Sequence, residues 1–514
     1  MWQTRREILK MSGAGAAGLV ISSLDLGLPD SAAAAIMKPP GGWSGSPGQA
    51  RYRIDGVAKV TGQKIYARDF RPADLPHWPT RYHHALVVRA TFIDHIYDGL
   101  DLEQLPAELQ PLQTITAVEL ARDRIGITEE DYPAGDYLLP PGSQPSYLGQ
   151  AIAILIYDDA AAYEGAKEQI VFNRKAVRMG KKVAPKDPTY FQPETSIIHV
   201  VDEKGDEKFS QTIQGPVHPE QPGADNEQAM EYVDFIGARL NSNFVDVYKQ
   251  SYETPVVDPM FMEPESGLAW FDRKAKTLRL LIGTQSPGYD VNSSRALFAP
   301  DDCAIDIDDV HLYAAYPGGG FGGRDTSILC VFLALAAAYS DHPIRIAHDR
   351  FQQFQSGVKR HTSRIELTIG VNDKDSFEVI RNHSVLDGGG RRNVSTYVAD
   401  VNGVTGAGAY RFPLADIWTR PQHTQSQVAG SMRGKVTNQR FFYNEFARND
   451  ERLAGIRLQY EQLITDWASE NRQFDGRTNQ KIPLHTLVEI RSLRSLLHYY
   501  FPAEYPDPTG RKDD

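Results

Sequence analysis

The sequence predicts an α+β fold, and three observations carry that prediction. Wholly apolar or alternating runs recur along the chain and read as strands: Tyr82 to Val88, Tyr147 to Ile156, Gly267 to Phe271, Thr277 to Ile282 and Asp306 to Ala315. One apolar block, Ile328 to Tyr339, follows a cluster of glycines and reads as a buried helix. Ile365 to Val371 and Phe377 to Val385 alternate on either side of Asn372-Asp373, the pattern of a hairpin.

In chain order, Thr4-Arg5-Arg6-Glu7-Ile8-Leu9-Lys10 precedes a mildly apolar Gly/Ala-rich stretch and then Ala32-Ala33-Ala34-Ala35. This matches a twin-arginine export signal over residues 1–35 with an A-x-A cleavage site, so the mature chain is expected in a bacterial periplasm, attached to the membrane only through partners. Residues 36–50 are a Pro/Gly/Ser linker. Arg51 to Asp69 alternates around Asp55-Gly56 and Thr61-Gly62, which suggests short strands joined by turns, and Ala160 to Val171 has the spacing of an amphipathic helix. Residues 173–240 are polar and weakly periodic, as an inter-domain connection crossing the surface would be. His199 and His218 within them have no metal-ligand neighbour at helical or hairpin spacing.

With 514 residues, 41% of them hydrophobic, the chain can form two or three domains with cores. A net charge of −11 without any basic stripe argues against nucleic acid as a partner. Two cysteines, Cys303 and Cys330, cannot ligate an iron–sulfur cluster, so such a carrier belongs on another chain.

The chemistry-bearing stretch is Ala315 to Asp325, where Gly318, Gly319, Gly320, Gly322 and Gly323 surround Phe321. Amides without side chains in the way, backed by a helix, can cradle an anion, while the plainer alternative is a tight strand-to-helix turn. No Lys-Ser/Thr pair follows, so this is not a P-loop.

Gly-Gly-Gly-Phe-Gly-Gly followed by Arg324-Asp325 resembles the pterin-facing loop of the molybdenum hydroxylases, the xanthine dehydrogenase and aldehyde oxidase family. Other motifs resemble that family in the same order: Asp55 to Gly62, Tyr147 to Ile156, Met262-Glu263-Pro264, Thr284-Gln285, Asp387-Gly388-Gly389, and Gly430-Ser431-Met432-Arg433-Gly434 followed by Asn438-Gln439 and Glu445 on a helix. The resemblance implies an α/β hammerhead domain over 51–172, a first molybdopterin-binding domain over 241–480 and a C-terminal tail over 481–514. It implies that Gln285 lies beside an oxo ligand of molybdenum and that the Arg433 guanidinium stabilises a substrate oxygen. Gly319, Gly320, Phe321, Gly322 and Gly323 would face the pterin, and Asp325 would contact substrate, or else cap the helix that follows. Three departures stand out: Val257-Asp258-Pro259 where the family has His, no Glu after Arg350, and Lys435-Val436-Thr437 in place of a Gly/Pro run. After Arg457 the match fades, and no G-x-G-E segment with the family's general-base glutamate is found.

The resemblance therefore implies the first part of a split molybdenum subunit. Its cofactor would be molybdopterin in the cytosine dinucleotide form, with molybdenum and without an iron–sulfur cluster on this chain. Its partners would be a second half carrying the base glutamate, a small [2Fe-2S] subunit and a cytochrome. Its substrate would be an aldehyde or N-heterocycle, hydroxylated with water as the oxygen source. The competing expectation is a non-catalytic scaffold that kept the fold without the cofactor.

Overall fold

A computed structural model describes residues 58–433, apart from 60, 127–136, 173–174, 219–225 and 409. The export signal, the linker, Asp55-Gly56, Asn438-Gln439, Glu445 and the tail lie outside the described residues. The fold is mixed α/β, as expected, and is built on two large sheets. Within it, no helix is long and apolar enough to cross a membrane.

The first seven-stranded sheet runs β12 (Asp309–Ala315), β11 (Thr277–Gly283), β10 (Ser266–Asp272), β13 (Ile344–Ala347), β1 (His83–Arg89), β4 (Ala151–Tyr157), β3 (Gln113–Thr116). Every residue of β4 is buried, which is why Tyr147 to Ile156 reads as apolar without alternation. Its seam is the parallel pairing of β1 with β13, His83 opposite Ile344 and His84 opposite Arg345. Strands from the regions expected as 51–172 and 241–480 thus share one sheet.

Helix α5 (Leu329–Ala338) packs on this sheet beside α4 (Pro287–Ala296), and all ten of its residues are buried. A helix apolar all round has to be interior. Small residues let it approach closely: a Cβ on Gly267 would stand 2.7 Å from Leu333 Cδ1. Leu120 of α1 (Ala117–Arg122) joins this core, while α2 (Ala160–Lys167) covers the opposite face of β1 and β4 through Tyr163 and Ala166. The helix expected over Ala160 to Val171 is continuous, its last stretch widening into a π-helix over Glu168–Phe172.

The second sheet runs β8 (Glu207–Gln214), β7 (Thr195–Val201), β16 (Leu414–His423), β15 (Phe377–Asp387), β14 (Thr362–Asn372), β9 (Val245–Thr254), with β6 (Thr189–Tyr190) beside β16. The expected hairpin is β14 and β15. A small pair, β2 (His95–Leu100) and β5 (Val177–Lys182), stands apart. The expectation of a connection over 173–240 is corrected here, because that stretch supplies β5 to β8 and α3 (Glu227–Leu240). It reads as polar because β8 is an edge strand that buries only Phe209. In α3, capped by Asn226, the apolar stripe is Ala229, Val233, Ile236 and Leu240. Two further helices, α6 (Arg350–Ser356) and α7 (Ser395–Val404), complete the described α-helices. Of the stretch Arg51 to Asp69, the part described from Thr61 onward turns at Thr61-Gly62 and makes one bridge, Tyr66 to Tyr316. Gln150 is a buried turn residue whose Oε1 accepts from Ser146 N at 2.7 Å.

Candidate functional site

The site forms where β11 and β12 end. These strands are parallel and level, Gly283 opposite Ala315, so Thr284-Gln285 and Tyr316-Pro317 leave the sheet at the same edge. Gln285 Oε1 accepts from the amides of Gly322 at 3.0 Å and Arg324 at 3.3 Å, and Gln285 N donates to Arg324 O at 3.2 Å. Both side-chain partners are N–H donors, so the amide oxygen must face the loop and Nε2 must face away. Nε2 has no partner among the described residues. The turn is held from behind by Thr284, whose Oγ1 donates to Asp290 Oδ2 and accepts from Ser286 N at 2.9 Å. Burial pushes the Asp290 carboxyl up to about 6.

Much of the glycine loop's hydrogen bonding is internal. Gly318 N donates to Glu263 Oε2 at 2.7 Å, Gly323 N to Gly320 O at 2.8 Å and Asp325 N to Gly322 O at 3.1 Å. Only the apex amides of Gly319, Gly320 and Phe321 make no hydrogen bond among the described residues, so the cradle is narrower than the glycine count suggests. Phe321 is in the left-handed region, φ 52°, with its ring 45% exposed. Close approach explains two of the glycines. A Cβ on Gly320 would collide with Gln285 Oε1, and one on Gly322, φ +95°, would sit 2.7 Å from the Ser431 carbonyl.

Beneath the loop lies a charged pair that sequence reasoning did not single out. The Arg324 guanidinium is buried, donating from Nη1 to Gly283 O at 3.0 Å and from Nη2 to Glu263 O. It pairs with Glu263 Oε2 at 3.2 Å and lies 4.6 Å over the Phe261 ring. Glu263 Oε1 also accepts from Arg68 N at 3.1 Å. Both residues stand inside quoted motifs, but no local spacing shows that they meet.

Arg433 reaches the same place through its backbone, N donating to Phe321 O at 2.6 Å and O accepting from Arg360 Nη2 at 2.6 Å. The turn is buried at Gly430 and Ser431 and half-buried at Met432, whereas Arg433 is exposed, its guanidinium without a partner among the described residues. Asp325 is half-buried, and its carboxylate makes no hydrogen bond among the described residues. It does not cap α5, since Ile328 holds that position and Ser327 Oγ accepts from Leu329 N at 3.2 Å. The basic run Lys359-Arg360-His361 is not a solvated one, since Lys359 and His361 are buried. Lys359 Nζ pairs with Asp258 Oδ2 at 2.6 Å, which gives the unusual Asp258 a partner. The one metal-ligand cluster among the described residues is His218, His383 and Asp416, on the second sheet. His218, passed over in the sequence because its neighbours lie far along the chain, is part of it.

The sequence model of the molybdopterin cofactor-binding domain matches residues 217–448, a span holding Glu263, Gln285, the glycine loop and Arg433. That stretch is thus matched to a molybdopterin cofactor-binding domain, and the chain as a whole is similar to subunits of molybdenum hydroxylases. It is 23% identical over 410 residues to a probable xanthine dehydrogenase subunit of Bacillus subtilis (strain 168), covering 79% of this chain and 49% of that one. It is 22% identical over 396 residues to the nicotinate dehydrogenase large molybdopterin subunit of Eubacterium barkeri, covering 75% and 81%. Quinoline 2-oxidoreductase from Pseudomonas putida 86 has the same fold, with a TM-score of 0.55 at 15% identity over 77% of this chain and 48% of that one. The chain thus spans about half the length of the Bacillus relative and of the quinoline enzyme's chain. Its exposed groups fit the family's cofactor chemically. The loop apex, Gln285 Nε2 and the Arg433 guanidinium are all donors, and a molybdopterin presents oxygen acceptors and negative charge.

Proposed function

We propose that the chain is the molybdopterin-binding subunit of a periplasmic molybdenum hydroxylase that oxidises an aldehyde or N-heterocycle, with water as the oxygen source. The observation that carries this reading is the orientation of Gln285. Its oxygen is held by the loop, so its Nε2, the three apex amides and the Arg433 guanidinium are left as donors around Phe321. The cofactor, read as the cytosine dinucleotide form, supplies two-electron oxidation of carbon and oxygen transfer when bound. Gly319, Gly320 and Phe321 hold its electron-rich face through backbone N–H groups, and Gln285 orients it with a neutral donor that does not compete as a ligand. Arg433 stabilises negative charge developing on a substrate oxygen, and the Asp325 carboxylate accepts a hydrogen bond from substrate. A partner chain provides the general-base glutamate and closes the exposed site; a [2Fe-2S] subunit and a cytochrome carry electrons away. The Eubacterium relative, matched over 81% of its length and named a large molybdopterin subunit, supports a subunit of about this size. The periplasmic assignment is supported by Arg5-Arg6 and Ala32 to Ala35.

The test is co-expression with the adjacent reading frames, followed by metal analysis, pterin extraction and a substrate screen. Stoichiometric molybdenum is expected. Gln285→Ala should lower molybdenum content, while Arg433→Ala should lower kcat with molybdenum retained. An intact complex free of molybdenum would favour the scaffold reading instead.

A further inference from the structure

The second sheet holds a cluster that this chemistry does not use. On the parallel strands β15 and β16, Arg381 stands opposite Asp416 and His383 opposite Trp418, so the four side chains share one face. His218, from the segment before α3, stacks on Trp418 with ring centres 4.0 Å apart. Its Nε2 is 3.8 Å from Asp416 Oδ1, and His383 Nε2 is 3.4 Å from Asp416 Oδ2. Tetrahedral metal bonds of about 2.0–2.2 Å place neighbouring ligand atoms roughly 3.3–3.6 Å apart. The His383 separation falls in that range, the His218 one lies just beyond it, and all three ligand atoms lie within 4.8 Å of one another, gaps that a small ring rotation would close.

Asp416 is fully buried, and its two oxygens are treated differently. Arg381 Nε donates to Oδ2 at 2.8 Å and fixes the carboxylate plane, whereas Oδ1 has no hydrogen-bond partner among the described residues. A desolvated carboxylate oxygen left open toward an imidazole is costly unless something electropositive meets it. Neither nearby arginine adds an uncompensated cation, because Arg381 pairs with Asp416 and Arg420 Nε with Glu194 Oε2 at 3.2 Å. We propose that His218, His383 and Asp416 form a binding site for one divalent first-row cation, zinc by its buried nitrogen-rich donor set, with water completing the coordination. Bound there, the ion ties together three segments far apart in sequence and stabilises the second sheet.

The test uses the full chain with its partners, stripped of loosely held metal, with bound molybdenum counted separately. Titration with Zn2+ should show one saturable site and raise the melting temperature, and Co2+ should bring visible d–d bands. His383→Gln, chosen because His383 is only partly buried, should weaken Zn2+ by at least the roughly 10–100-fold that loss of an outer-shell partner costs. His199→Gln, at a half-buried position of β7 outside the cluster, should leave affinity unchanged. The proposal is overturned if wild-type protein shows no saturable Zn2+ or Co2+ site, or if His383→Gln binds as tightly as wild type. Either result would mean that the cluster is a hydrogen-bonded network without an ion.

Discussion

Glu263 and Arg324 carry opposite charges in a place where neither could remain alone. Breaking such a buried pair costs roughly 3–5 kcal/mol, because the surviving charge keeps its desolvation penalty. Glu263→Gln retains one acceptor oxygen but no charge, so denaturant unfolding should show a loss of about 3 kcal/mol, with the amides of Gly318 and Arg68 exchanging faster. Gly320→Ala should displace Gln285 from the loop and lower stability by about 1–3 kcal/mol, within the usual cost of overpacking. A crystal structure in which the Gln285 contacts survive that substitution would contradict the close approach described. At this scale the sequence was informative about identity and poor about contacts. Gln285 and the loop were legible because they sit in a motif, whereas the partnership of Glu263 with Arg324 depends on the β10 to β12 topology that brings them together.

At the scale of elements, α4 and α5 set the floor of the site. Leu333 is fully buried in α5, so Leu333→Ala should cost about 2–5 kcal/mol, measurable by thermal melt. Asp290 of α4 makes a pH-dependent contribution. Burial raises its carboxyl from the ordinary 3.8 to about 6, so the folded state holds the proton more tightly than the unfolded chain. The resulting stability is fully present below about pH 3.8 and lost as pH rises through about 6, a difference of roughly 3 kcal/mol. Asp290→Asn should therefore remove this pH dependence, and the gap between wild-type and variant melting temperatures should change over that window; a constant gap would refute the assignment. The apolar block of α5 was plain from composition, and β14 and β15 from alternation. Edge strand β8 was not, since one buried residue in eight leaves no periodic signal.

For the whole molecule, the shared first sheet decides how the chain can be divided. Residues 51–172 expressed alone would expose β1 where β13 should pair, and residues 241–480 would leave β13 without β1 along one edge. Neither fragment should unfold cooperatively by itself, and the two together should recover a single transition; an independently stable 51–172 fragment would argue against this sheet. The patterning of apolar and alternating runs pointed to the fold class, but a register such as His83 opposite Ile344 has no local signature, so the seam was invisible in the sequence. The same seam has a kinetic consequence. During synthesis β1 emerges long before its mate, and about half the chain must be made before that edge is covered. The nascent polypeptide passes through a prolonged interval with an open, aggregation-prone border, so its yield should depend on chaperone supply far more than its final stability would suggest.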